Sequence, residues 1–350
     1  MTGIMQMILT AVAKLFSGFT TPALMNGSSV VANMQSVTVN SSGLFVAVGY
    51  NSFSYPIYAT SSNGSTWTTP ALMNGSSPAA LVLSVTVNSS GLFVAVGYEA
   101  ISAPIYTTSS NGSTWTTPAL MNGSSVYAQM RSVTVNSSGL FVAVGYDSSG
   151  LPLYATSSNG STWTTPALMN GSSVYAAMLS VTVNSSGLFV AVGFTSSNYP
   201  LYATSSNGST WTTPALMNGS SVVAIIRSVT VNSSGLFVAV GFTSSGLPLY
   251  ATSSNGSTWT TPALMNGSSV VANMQSVTVN SSGLFVAVGY DSSGLPLYAT
   301  SSNGSTWTTP ALMNGSSVVA YTQSVTVNSS GLFVAVGYDT NIYPVYATST

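Results

Sequence analysis

The sequence predicts an all-β fold: a seven-bladed β-propeller with four antiparallel strands per blade, closed by an N-terminal strand in the last blade. Three observations carry this. The string SVTVNSSGLFVAVG starts at Ser36, Ser84, Ser132, Ser180, Ser228, Ser276 and Ser324, always 48 residues apart. Each period holds four short runs rich in Val, Thr, Tyr, Phe or Trp, separated by turn clusters, which is the all-β pattern. The two chain ends are complementary pieces of a single period.

Within a period, SVTVN is the first strand and NSSG the turn that follows it. LFVAVGY, apolar at nearly every position, is the second strand. A turn of changing sequence, DSSGL at Asp147–Leu151 for instance, leads to PLYATSS, the third. Asn-Gly then marks a hairpin, because both residues tolerate positive φ. STWTTPAL is the fourth strand, and Pro70 puts it at the sheet edge, where no ladder donor is needed. Four strands repeated radially make a propeller blade. An open solenoid is the competing architecture, and the ends decide against it. The last period stops at Thr350 without its Trp strand, while LFSGFTT at Leu15–Thr21 aligns with that missing strand, Phe19 standing where the other copies have Trp67 and its equivalents. The propeller therefore spans residues 15–350. Residues 1–14 form an apolar segment, too short for the ~20 residues of a membrane span. Ala11-Val12-Ala13 has the look of a signal-peptidase site, but no basic residue precedes the apolar run. The segment reads as a packing or homo-oligomerisation element.

Composition narrows the function classes. Of 350 residues, 45% are hydrophobic and only 2% charged, against about 25% charged in ordinary domains. Lys14, Arg131 and Arg227 are the only basic side chains, which leaves no patch to neutralise phosphates, so nucleic acid is excluded as a partner. The net charge of −1 offers little repulsion between copies and favours self-association. There is no Cys and no His, which removes thiolate chemistry, zinc sites and imidazole catalysis. Nothing in the sequence calls for a cofactor or a metal.

The segment TSSNGSTW at Thr60–Trp67 resembles the Asp-box of sialidase-like propellers, Ser/Thr-x-Asp-x-Gly-x-Thr-Trp. Thr60, Gly64, Thr66 and Trp67 match, while Ser62 stands at the Asp position, and this departure recurs in every copy. The resemblance implies a brace on the hairpin between the third and fourth strands, hence a fold and not an activity. Hydrolases of that family grip a carboxylate with three arginines, a Tyr supported by a Glu, and an Asp acid. Two arginines cannot make that clamp. The four acids, Glu99, Asp147, Asp291 and Asp339, share one repeat position in four different blades, whereas glycoside hydrolysis needs carboxylates about 5–10 Å apart. The chain therefore reads as non-enzymatic.

The copies differ in two windows. One precedes the first strand: Val30–Gln35 reads VVANMQ, against VYAQMR, VVAIIR or VVAYTQ elsewhere. The other joins the second and third strands at Tyr50–Tyr58. In an up-and-down blade both windows fall on one face, and the NSSG and SSNGS turns fall on the other. The varied windows contain both arginines, Arg131 and Arg227, and all four acids. They also hold Tyr127, Tyr175, Tyr321, Phe53, Tyr55, Tyr199 and Tyr343. Loops on a rigid scaffold commonly carry binding residues, and Tyr with Ser, Asn and Gly suits adaptable recognition; drift after duplication is the bland alternative. Sequons such as Asn26, Asn40 and Asn63 mostly coincide with turns that backbone geometry already explains. The functional expectation is a recognition module for glycans or a cell-surface receptor, extracellular or virion-associated, as in a phage or viral fibre or a bacterial surface protein. A self-assembling structural subunit and a designed repeat scaffold are the alternatives.

Overall fold

A computed structural model of the chain describes residues 16–74, 79–99, 102–123, 126–219 and 221–350. The expected apolar segment 1–14 lies outside them. The described chain forms seven four-stranded antiparallel sheets, one per repeat, each a simple meander. In the first blade the strands are Asn33–Val39, Phe45–Tyr50, Pro56–Ser61 and Ala71–Leu72, from the inside outward.

Two boundaries differ from expectation. The innermost strand begins at Asn33, three residues before SVTVN, so the second half of the first varied window is strand and not loop. The outermost strand is a two-residue ladder at Ala71–Leu72. Pro70 has no N–H to offer, and upstream of it the Thr68 hydroxyl stands in for a ladder acceptor by taking the Thr60 amide at 2.9 Å.

Ring closure by the N-terminal strand is as predicted. Ala23–Leu24 pairs antiparallel with Pro344–Thr348 and completes the last sheet. Ahead of it, Phe19 bridges Ser349, and Thr350 N–H reaches the Gly18 carbonyl at 3.0 Å. Phe19 fills the Trp position and meets Tyr298 edge-on at 5.5 Å. In other blades the equivalent contact joins a Trp to the Tyr of the preceding blade, as in Trp67–Tyr346 and Tyr58–Trp115.

The core lies between blades. Phe45, Met25, Met34 and Trp67 of the first blade pack on Val334 and Val336 of the last, and the pattern repeats around the ring. Second strands are therefore apolar on both faces, as sheets sandwiched between two neighbours must be. Gly64 shows how tight the seam is: its φ is +77°, and an added Cβ would sit 2.7 Å from Val334 Cγ2. The hairpin brace exists but uses neighbouring positions. Ser61 Oγ accepts the Gly64 amide, Asn63 Oδ1 accepts those of Ser65 and Thr66, and Trp67 Nε1 donates to the Gly64 carbonyl. Ser62, at the Asp position of the family pattern, is exposed.

Candidate functional site

Every innermost strand carries a β-bulge. In the first blade Met34 faces Gly49 and Ser36 faces Val48, which leaves Gln35 unpaired. A bulge re-aims a side chain, and here it sends one residue per blade toward the axis. Gln35, Leu83, Arg131, Leu179, Arg227, Gln275 and Gln323 together line one cavity of about 110 Å³. Gly49 permits the bulge, since a Cβ there would lie 1.9 Å from the Asn33 carbonyl oxygen. Arg131 and Arg227 are thus channel residues on strands and not loop residues.

Near the ends of the second strands each blade places an aromatic residue, together an aromatic collar: Tyr50, Tyr98, Tyr146, Phe194, Phe242, Tyr290 and Tyr338. The Arg131 guanidinium lies over Tyr146 at 5.9 Å and that of Arg227 over Phe242 at 5.6 Å, a cation–π geometry. The Arg131 charge also acts on the Tyr98 phenol. Asn33 Nδ2 donates to the Tyr50 hydroxyl at 3.0 Å, and Gln35 Nε2 donates to Asn33 Oδ1. Burial pushes the phenols of Tyr50 and Tyr98 up, with Arg131 pulling back. Tyr338 is pushed up to about 12 by burial and by neighbours Tyr290, Tyr50 and Tyr321. The Arg227 guanidinium is pushed down, first by burial and then by Arg131.

The two varied windows do share one face, and they are stitched together. The Ala80 amide donates to the Ser54 carbonyl at 2.6 Å, and Ala128 to Ser102 at 2.7 Å. Ala176, Ala224, Ala272 and Ala320 repeat the bond, and Ala32 to Ile342 closes the set at 2.8 Å. On the far side, the Gly64 turn packs on Leu332, just past the NSSG turn of the neighbouring blade.

The remaining predicted residues divide by role. Asp147, Asp291 and Asp339 cap their own turns: each Oδ1 accepts two backbone amides, Ser149 and Leu151 in the first case. Asn51 and the Thr195 hydroxyl cap the same turn in other blades. These aspartates lie outside the lining of the central cavity. Their Oδ1 atoms are used within the turn, a geometry that Asx turns share. Glu99 ends its strand at the same repeat position. Tyr175 lies across Gly150 and beside Phe194, while Tyr321 is held between Tyr290 and Tyr338 at 5.1 and 5.3 Å. Both are half-buried among these ring contacts. Tyr127 is exposed and accepts from Gln129 at 3.0 Å. Phe53, 72% exposed, leans on Tyr55, and Tyr199 and Tyr343 are half-buried in the corresponding turns. The three channel glutamines, the two leucines and the collar escaped the sequence reading. The signal was Gly49, a glycine inside an apolar strand, which marks a bulge.

No family model matches the chain, and no curated protein does. Solved structures share its fold. A lectin from Burkholderia pseudomallei superposes with a TM-score of 0.74 at 11% identity, covering 91% of this chain and 96% of the lectin. YCF48, in a structure with a D1 peptide bound, gives 0.66 at 15% identity and 96% of each chain. Virginiamycin B lyase from Staphylococcus aureus gives 0.68 at 7% identity, covering 94% and 99%. These likenesses establish the seven-bladed propeller and span both binding proteins and lyases.

Proposed function

We propose that the protein is a non-catalytic recognition module that binds glycans, on a cell surface or in a surface polysaccharide, through the face carrying the varied windows. One observation carries the reading: seven hydrogen bonds join the two varied windows into a continuous rim around a single channel mouth, while the opposite face repeats one sequence. The rim offers flat aromatic surface at Phe53, Tyr127, Tyr55, Tyr199 and Tyr343, with hydroxyl and amide groups between them. That mixture suits sugars, which present apolar ring faces and polar edges. That a lectin shares the fold supports the reading. A setting outside the cell, on a bacterial surface protein or a fibre, belongs to the same proposal, as does kinship of the Thr60–Trp67 hairpin with degenerate Asp-boxes.

The test is a glycan array, extended with bacterial surface polysaccharides, probed with the full chain and with Phe53→Ala and Tyr127→Ala. Capture of a defined glycan, weakened at least threefold by either substitution, supports the reading. Absence of capture across the panel, with a folded monodisperse sample, contradicts it. Lattice-like self-assembly in that sample would favour a structural subunit, a reading that the net charge of −1 also suits.

A further inference from the structure

Two arginines share one cavity whose lining, among the described residues, holds no acid. Arg131 and Arg227 both project into the channel, two blades apart, and the other lining side chains are glutamines and leucines. Arginine stays charged in proteins, so two positive charges share about 110 Å³ with no carboxylate on the wall. The cost is visible on Arg227: burial and the Arg131 charge both disfavour its charged form, and its Nε is buried with no hydrogen-bond partner. Such an unpaired donor beside a like charge is expensive, and Gln at the same bulge position in three other blades shows that the fold itself does not need arginine there.

We propose that the channel mouth is a binding site for one small oxyanion, gripped between the guanidinium groups of Arg131 and Arg227. Arginine edges match carboxylate and phosphate oxygens, with two parallel N–H···O bonds available to each. Each guanidinium carbon lies over an aromatic ring, Tyr146 at 5.9 Å or Phe242 at 5.6 Å, a contact that does not use up its N–H donors. The amide nitrogens of Gln35, Gln275 and Gln323 bond to Asn33 Oδ1, the Asn273 carbonyl and the Tyr321 carbonyl, and each retains a second hydrogen to give. Size selects the ligand. The cavity is well below the ~300–1,000 Å³ of a drug-sized pocket, and it accommodates a phosphate or the carboxylate of an acidic sugar. The shared chemistry is the oxyanion; its source is either free inorganic anion or a uronate. The site goes beyond the glycan reading and stands even if no neutral glycan binds.

The experiment is isothermal titration of the full chain with inorganic phosphate in one arm and sodium glucuronate in the other, against sodium chloride at matched ionic strength. The comparison protein is the double variant Arg131→Gln, Arg227→Gln, which installs the residue already present in three blades. We expect saturable one-to-one binding of at least one oxyanion, absent with chloride, and at least tenfold weaker in the double variant. The double variant is expected to melt no lower than the parent in anion-free buffer, since it sheds two unpaired charges; this separates loss of the site from loss of the fold. Binding of phosphate alone assigns the site to free inorganic anion, and tighter binding of glucuronate assigns it to an acidic sugar. No binding of either oxyanion, or full binding by the double variant, overturns the proposal.

Discussion

Ser324 Oγ accepts the Val37 amide at 3.2 Å, from the last blade to the first. The same bond runs from Val85 to Ser36, from Val133 to Ser84 and so on around the ring. It answers a general difficulty. The innermost strand of each blade is a sheet edge, and exposed edges invite wrong pairing. Here a serine of the preceding blade satisfies that edge amide, so the serine opening each SVTVN string is a seam residue. Ser324→Ala leaves the buried Val37 amide unpaired and should cost about 1–3 kcal/mol, read as a lowered denaturation midpoint with an unchanged slope.

Phe19 is the buried aromatic contact of the closing segment. The ring is 2% exposed and sits against Phe16 and Tyr298. Phe19→Ala should destabilise by about 3–5 kcal/mol in chemical denaturation. An effect below ~1 kcal/mol would mean the N-terminal strand is an appendage.

The bulge is expected to be intolerant. Gly49→Ala places a Cβ against the Asn33 carbonyl, and overpacking of this kind costs about 1–3 kcal/mol. Relief by flattening the bulge would also turn Gln35 away from the channel, so a crystal structure of the variant should show that side chain displaced.

One turn is strained and can be improved. Ile342 has φ of 60°, left-handed and unfavourable for a β-branched residue. Glycine occupies the matching position at Gly150, Gly246 and Gly294. Ile342→Gly should stabilise by about 1 kcal/mol, the left-handed penalty less the entropy of glycine, seen as a raised melting temperature.

The collar predicts an alkaline transition. The Tyr338 phenol is pushed from 10.0 up to about 12 in the folded chain. A folded pKa above the unfolded one contributes stability that is complete below pH 10 and is lost as pH rises toward 12. Ultraviolet titration of phenolate should therefore show a late-ionising group, absent in Tyr338→Phe, and stability falling across that window.

The architecture was legible because the repeat is a backbone signal. Identical strings at fixed spacing, a missing Trp strand at one end and Phe19 at the other fixed blade number and closure without any knowledge of side-chain contacts. The division into two faces followed from strand alternation. The channel did not follow, because the bulge shifts register by one residue and turns Gln35, Arg131 and Arg227 from apparent loop positions into lining. Only Gly49 hinted at it. The turn caps were not legible either: Asp147, Asn51 and Thr195 look unrelated in sequence, yet each accepts the equivalent turn amide. Tyr321 varied too, yet it is wedged into the collar.

The central claim is that ligand recognition belongs to the varied rim. It is tested most directly by a chain in which every blade carries the two windows of the sixth, Val270–Gln275 and Tyr290–Tyr298, a pair that already coexists in one folded blade. Affinity for the glycan captured by the parent is measured alongside a second chain altered only in the NSSG turns. The account predicts that the first chain loses binding by at least tenfold while the second keeps it. Undiminished binding by the first chain, or loss in the second, would contradict it.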